Sequence, residues 1–231
     1  MIKKMLVAAV VAIAPTLMFA QYTPYFGVRL SFDVTHPAGA NEGINNGSGF
    51  SLTGIYNLPI GQHAYFEPGV GIFYNTMGIK PFEMKDALFD GSVRNFGFRV
   101  PLNIGYRFEM FDNFELAGFT GPWFNINCST KAHLESANDF PIEITSPSMF
   151  DYGWHRFDAQ WGFGISATYN KQYYLSISGG VGMSAMATFT ADGHKDRLRR
   201  NTVSITVGYN FLGNDYSACP LNGMDIKLRL I

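Results

Sequence analysis

The chain has 231 residues, of which 47% are hydrophobic, 16% aromatic and only 15% charged, with a formal net charge of −1. Such a balance excludes a nucleic-acid partner held by a basic surface, and so aromatic and weakly charged a composition suits a water-soluble exterior poorly. After Ala20 no stretch is apolar for even ten residues, so no helix is long and apolar enough to cross a bilayer, and a membrane protein built without such helices is a closed barrel.

In chain order, the first twenty residues carry Lys3 and Lys4, an apolar run from Met5 to Phe19, and Phe19-Ala20 before Gln21, which is the layout of a secretory signal. Pro15 interrupts that run, and the run falls short of the ~20 residues of a membrane-spanning helix. Residues 1–20 are therefore expected to be a cleaved signal peptide, and loss of both lysines moves the formal charge from −1 to −3. Period-two alternation then predicts eight strands, at 25–34, 49–58, 64–75, 95–109, 114–127, 156–169, 173–190 and 202–211. The clearest runs from Phe96 to Phe108, where Phe96, Phe98, Val100, Leu102, Ile104, Tyr106 and Phe108 oppose Gly97, Arg99, Pro101, Asn103, Gly105 and Arg107. Connections at 35–48, 76–94, 128–155 and 191–201 are long; those at 59–63, 110–113 and 170–172 are short. This rhythm predicts an all-β fold, an eight-stranded antiparallel up-and-down transmembrane β-barrel over residues 21–211, with tight turns and both termini in the periplasm. Residues 212–231 are expected to form a periplasmic C-terminal tail.

Setting the apolar faces outward puts Arg29, Asp33, Glu67, Arg99, Arg107, Glu109, Glu115, Arg156 and Asp158 on the inner faces, which is where charge belongs when it costs ~2–4 kcal/mol against lipid at mid-bilayer. The opposite orientation, a soluble lipocalin-like barrel, would give water a face full of glycine, including Gly69, Gly71, Gly97, Gly105, Gly162 and Gly164, and glycine weakens strands without solubilising them. Inside a narrow barrel it makes room for long arginine and glutamate side chains. The fifth strand fits less well, because Phe119 and Trp123 fall inside when Leu116, Phe124 and Ile126 face lipid. Either a bulge or a locally apolar interior is required.

Several fragments recur in one order: Glu67-Pro68-Gly69 followed by Tyr74 and Gly78, Arg99-Val100-Pro101-Leu102, Gly121-Pro122-Trp123, Asp158 with Gly162 and Gly164, and Val207-Gly208-Tyr209-Asn210-Phe211. In these the mature chain resembles the outer-membrane protein β-barrel domain family that includes the PorT-like proteins. The resemblance implies a compact eight-stranded barrel in the bacterial outer membrane, with a link to protein secretion in the name-bearing member. The chain departs from that pattern in its long third outer loop and in continuing past its final aromatic strand.

For chemistry, Arg29, Glu67, Arg99, Glu115 and Asp158 are expected to converge inside the barrel as a structural charge network that plugs it, since buried charges persist when paired. Glu67 and Asp158 are the expected partners of Arg99. The alternatives are a small passive pore or a secretion-associated barrel. Ser148, Asp151 and His155 cluster before the sixth strand as a lipid-modifying enzyme would need, but no nucleophile-elbow sequence surrounds Ser148. His36, His133, His155 and His194 lack the His-x-x-x-His spacing of metal ligands. No catalytic, cofactor or metal residue is therefore expected. The long loop from Cys128 to His155, which mixes Phe140, Ile142, Ile144, Met149, Phe150, Tyr152 and Trp154 with acids and serines, suits display of a binding surface or closure of the barrel. Cys128 and Cys219 fall at opposite membrane faces and are not expected to pair. The reading is a monomer with outer-membrane lipid and an extracellular or periplasmic protein as partners, in a structural or surface-interaction role.

Overall fold

A computed structural model describes residues 23–39, 43–84, 87–111, 113–136, 143–145, 148–191 and 194–211. The leader at 1–20 and the tail at 212–231, Cys219 included, lie outside them, as do Phe140 and Ile142. The strands are β1 (Tyr25–Ala38), β2 (Ile44–Ile60), β3 (Ala64–Met84), β4 (Ala87–Phe111), β5 (Phe114–Ser136), β6 (Glu143–Thr145), β7 (Phe157–Tyr169), β8 (Tyr173–Gly182), β9 (Ala185–Ala191) and β10 (His194–Phe211). Eight of them, β1-β2-β3-β4-β5-β7-β8-β10, follow one another antiparallel, and β1 pairs β10 to close the ring. β6 lies on the outer end of β5, and β9 on the outer end of β10.

The register fixes the shape. Stepping across paired strands from Tyr25 through Asn57, Glu67, Asn103, Gly121, Gly162, Gly180 and Thr202 returns to β1 at Thr35, ten residues above the start. With ~3.3 Å per residue and ~4.8 Å between strands, that stagger gives a tilt of about 40° and a backbone radius of about 8 Å. At that radius side chains fill the lumen.

Alternation holds as the sequence predicts: Phe96, Phe98, Ile104, Tyr106 and Phe108 are exposed, while Gly97, Arg99, Pro101, Asn103, Gly105 and Arg107 are buried. Tyr106 and Phe96 are ten residues apart on β4 and belong to lower and upper rings of outward aromatics; at this tilt the separation is roughly 25 Å, the height of an apolar membrane band. The lower ring includes Phe26, Tyr56, Phe108, Tyr169 and Tyr173, the upper ring Phe50, Tyr74 and Phe157, all exposed. The short turn after β7 is type I′: Asn170 and Lys171 have φ of 52° and 57°, and the Gln172 amide donates to the Tyr169 carbonyl at 3.1 Å.

Three expectations change. The outer connections expected at 35–48, 76–94 and 191–201 are largely strand: β3 and β4 stay paired out to Met84 and Ala87, and β10 begins at His194. The alternation continues there, but its outward face becomes polar, so a search for apolar outward faces stops too early. The expected strand 173–190 is two strands, because the amides of Met183 and Ser184 both donate to the Ala159 carbonyl and bend the chain from β8 into β9. Glu109 and Arg156, assigned to the interior, are exposed at the rims.

Candidate functional site: barrel interior and outer extension

The fifth strand carries no register shift between its Trp123 and Leu116 pairings, so its inward aromatics are accommodated by an apolar band in the lumen. Trp123 is buried and its Nε1 donates to Asn103 Oδ1 at 2.9 Å. Glycine makes the space: a methyl on Gly162 would overlap the Trp123 indole, one on Gly164 would press on Phe119, and one on Gly105 would overlap the Tyr65 ring. The room at these three positions therefore serves aromatic rings, whereas Gly27 and Gly208 lie against the Arg29 side chain.

Below and above this band lie two charged layers. In the lower, Arg107 Nη2 donates to Asn57 Oδ1 at 2.7 Å, and Asn57 Nδ2 donates to Glu67 Oε2 at 3.0 Å. Arg29 sits 3.8 Å from Glu67, a charge pairing too long for a hydrogen bond, and its guanidinium lies over the Tyr174 ring at 3.8 Å from the centroid. Glu115 is buried at the short-turn end of the lumen. In the upper layer Arg99 Nη1 donates to Asp33 Oδ2 at 3.0 Å and its Nε to Asn125 Oδ1 at 2.9 Å. Ser204 donates to the other Asp33 oxygen at 2.6 Å. Asp158 accepts from Asn125 at 2.8 Å, from Asn127 at 3.0 Å and from Arg200 at 3.1 Å. The Arg99 and Arg200 guanidiniums both pack on Phe73. Between the layers a cavity of about 70 Å³ touches Arg29, Ser51, Glu67, Arg99, Trp123 and Tyr174.

The five residues singled out from the sequence thus fall into two groups. Arg29, Glu67 and Glu115 lie low; Arg99 and Asp158 lie high. Arg99 meets Asp33 directly and Asp158 through Asn125, while Glu67 belongs to Arg29. Arg200 escaped the sequence reading because residues 191–201 were assigned to a loop. Continuing the alternation of Ser204 and Thr202 down to Arg200 and Leu198 would have found it.

Above the upper layer the lumen becomes apolar. Met77, Val93, Met186, Ala187, Leu198 and Trp154 form a buried cluster against which Ile44, Ile79, Met149, Phe150 and Phe189 pack. Trp154 is delivered by the long third connection, through a 3₁₀ turn at Met149–Tyr152 capped by Ser148 and ended by Gly153. Gly153 has φ of 90°, and a methyl there would run into the Thr188 carbonyl, so glycine is needed both for the left-handed turn and for the close approach that lets Trp154 bridge to Ala187. The segment thereby lays Trp154 into the buried cluster at the outer end of the barrel. Ser148 accepts from the Phe150 amide, and His155 Nε2 bonds Thr188 at 2.9 Å. Among the described residues neither bonds the other or Asp151, and no three of His, Cys, Asp and Glu gather as a metal would require. His36 pairs with Asn46 at 2.6 Å. Cys128 is an exposed free thiol.

The family model described as outer membrane protein beta-barrel domain matches residues 6–211, and the chain belongs to that family. No curated protein matches it. Among solved structures it is similar to Ail, the attachment invasion locus protein of Yersinia pestis, at 14% identity over 82% of this chain and 100% of that one, with a TM-score of 0.43. It is also similar to OprG of Pseudomonas aeruginosa, at 11% identity over 84% and 98% with a TM-score of 0.45. A third is Neisserial surface protein A, at 9% over 81% and 99% with 0.38. At such identities the likeness is one of fold alone. The protein is an outer-membrane β-barrel.

Proposed function

From membership of that family, we propose that the chain is a closed, non-conducting barrel whose work is done by its outward extension, as a rigid surface platform for a partner protein, and that it catalyses no reaction. The filled lumen carries this reading. Three guanidinium–carboxylate pairings and the Trp123 band occupy a ring of eight strands, and the Trp154 cluster lies across its outer end. A hydrated ion needs a continuous polar path, and the apolar cluster interrupts one. The extension is held by paired strands over a packed core, so its exposed groups, Tyr152 and Asp90 among them, keep fixed positions for binding.

Reconstitution into planar bilayers is expected to give no stable conductance steps; discrete steps of reproducible size would instead establish a small pore. Photo-crosslinking residues at Asp90 and Tyr152 should yield one protein adduct in intact cells. Adducts at neither position would reduce the role to a structural one. Lipid turnover by the purified chain that disappears in Ser148→Ala would replace the platform by an enzyme.

A further inference from the structure

Outward-facing cations gather at one level, immediately above the upper aromatic ring. On β4 and β5, Arg94 and Lys131 are direct cross-strand partners and both are exposed. Like charges so placed repel and weaken the pairing. Among the described residues neither takes an acid or a hydrogen-bond partner; His133 lies one step farther out beside Lys131, and Asp90 four residues out from Arg94. The cleft beneath the pair is floored by Tyr74 and Phe96, with Ser129 at its side. Three strands farther round the ring the arrangement repeats. Arg197 and Arg199 point outward from β10, opposite Thr188 and Ala185 of β9. They overhang a cleft floored by Phe157 and Met183 and edged by His155 and Ser184. Asp196, just before them in sequence, alternates to the other face of the strand.

We infer that these two clefts each bind a phosphorylated glycolipid of the outer leaflet, the Arg94–Lys131 pair and the Arg197–Arg199 pair taking the phosphate and the aromatic floors taking the start of the acyl chains. Arginine provides a forked donor set matched to phosphate oxygens, and a bound dianion removes the Arg94–Lys131 repulsion. The floors decide between a lipid and a soluble polyanion. Tyr74, Phe96 and Phe157 are continuous with the lipid-facing wall below, where Ile72, Phe98 and Phe163 are exposed, so the clefts match an amphiphile held at membrane level. A polysaccharide above the membrane would leave the aromatic floor uncovered.

The test uses the full chain purified from outer membranes and placed in zwitterionic phospholipid nanodiscs doped with lipid A. Native mass spectrometry after gentle release is expected to show two retained lipid A molecules. Arg94→Ser with Lys131→Ser should remove one, Arg197→Ser with Arg199→Ser the other, each weakening its site at least tenfold, while heat-modifiable gel mobility confirms that the variants are folded. Lipid A stripped of its phosphates should not be retained. Undiminished retention by the fourfold variant, or equal retention of the dephosphorylated lipid, would overturn the inference. So would displacement of lipid A by millimolar sucrose octasulfate with stoichiometric binding of that soluble anion, which would make the clefts polyanion sites.

Discussion

Between the aromatic rings the strands turn apolar side chains outward and, apart from the Trp123 band, mostly polar ones inward; above the upper ring β4 and β10 do the reverse. On β4 the phase never breaks: Arg99, Asn95 and Val93 all point in, while Phe98, Phe96 and Arg94 all point out. β10 shows the same exchange, from Thr202 and Arg200 inside to Leu198 inside, and from Val203 outside to Arg199 outside. Strand period sets which residues share a face; the medium on the far side sets what those residues are. A lumen surrounded by lipid holds charges that are paired with one another, whereas above the upper ring, with water outside, the lumen buries hydrocarbon as any soluble domain does.

The largest test of this contrast is to place charge on the outward face of each region. Ile165, 69% exposed within the membrane band, should not tolerate arginine: Ile165→Arg costs ~2–4 kcal/mol at mid-bilayer and should abolish the heat-modifiable, folded band on gels, whereas Thr188→Arg in the extension should leave it intact. Normal assembly of Ile165→Arg would reverse the inside and outside assigned here. Next in size, Arg99→Ala leaves Asp33 buried without its cation and should cost ~3–5 kcal/mol in urea unfolding from detergent micelles. A double-mutant cycle should find coupling between Arg99 and Asp33, and none between Arg99 and Glu67, which sits in the other layer. Trp154→Ala should cost about 3 kcal/mol, felt in the extension alone: outer hairpins become protease-sensitive in intact cells while the membrane band stays folded. Simultaneous loss of both would mean that the two regions are one cooperative unit. The smallest effect belongs to Gly162→Ala, where one methyl against Trp123 should cost ~1–3 kcal/mol, seen as a shift of the unfolding midpoint with unchanged assembly. Partial recovery is expected when Trp123→Phe makes room.

The membrane band was legible in the sequence because lipid imposes a strict rule on every second residue. Arg99, Asp158 and the aromatic rings follow from alternation alone. Pairing inside the lumen was not legible, since which cation meets which acid depends on the stagger of the ring, and that stagger brings Arg99 to Asp33 rather than to Glu67. The extension was missed for another reason. Lys80, Arg94 and Lys131 on an outward face look like loop residues to a rule that expects lipid there, and Trp154 reads as one more aromatic in a polar stretch until Gly153 and the bridge to Ala187 show where it goes.

The seam between β1 and β10 has a kinetic consequence. Phe26 pairs with Phe211, so the first strand's outer edge finds its partner only after nearly the whole chain has been delivered. Until then any inserted sheet would present two rows of bare amides and carbonyls to hydrocarbon, each unsatisfied group costing several kcal/mol. Stepwise insertion of hairpins is thus uphill, and the seam makes insertion and ring closure a single concerted event. A chain cut short within β10 should therefore accumulate as an unassembled intermediate, open to the protease and chaperone traffic of the periplasm, rather than as a smaller barrel.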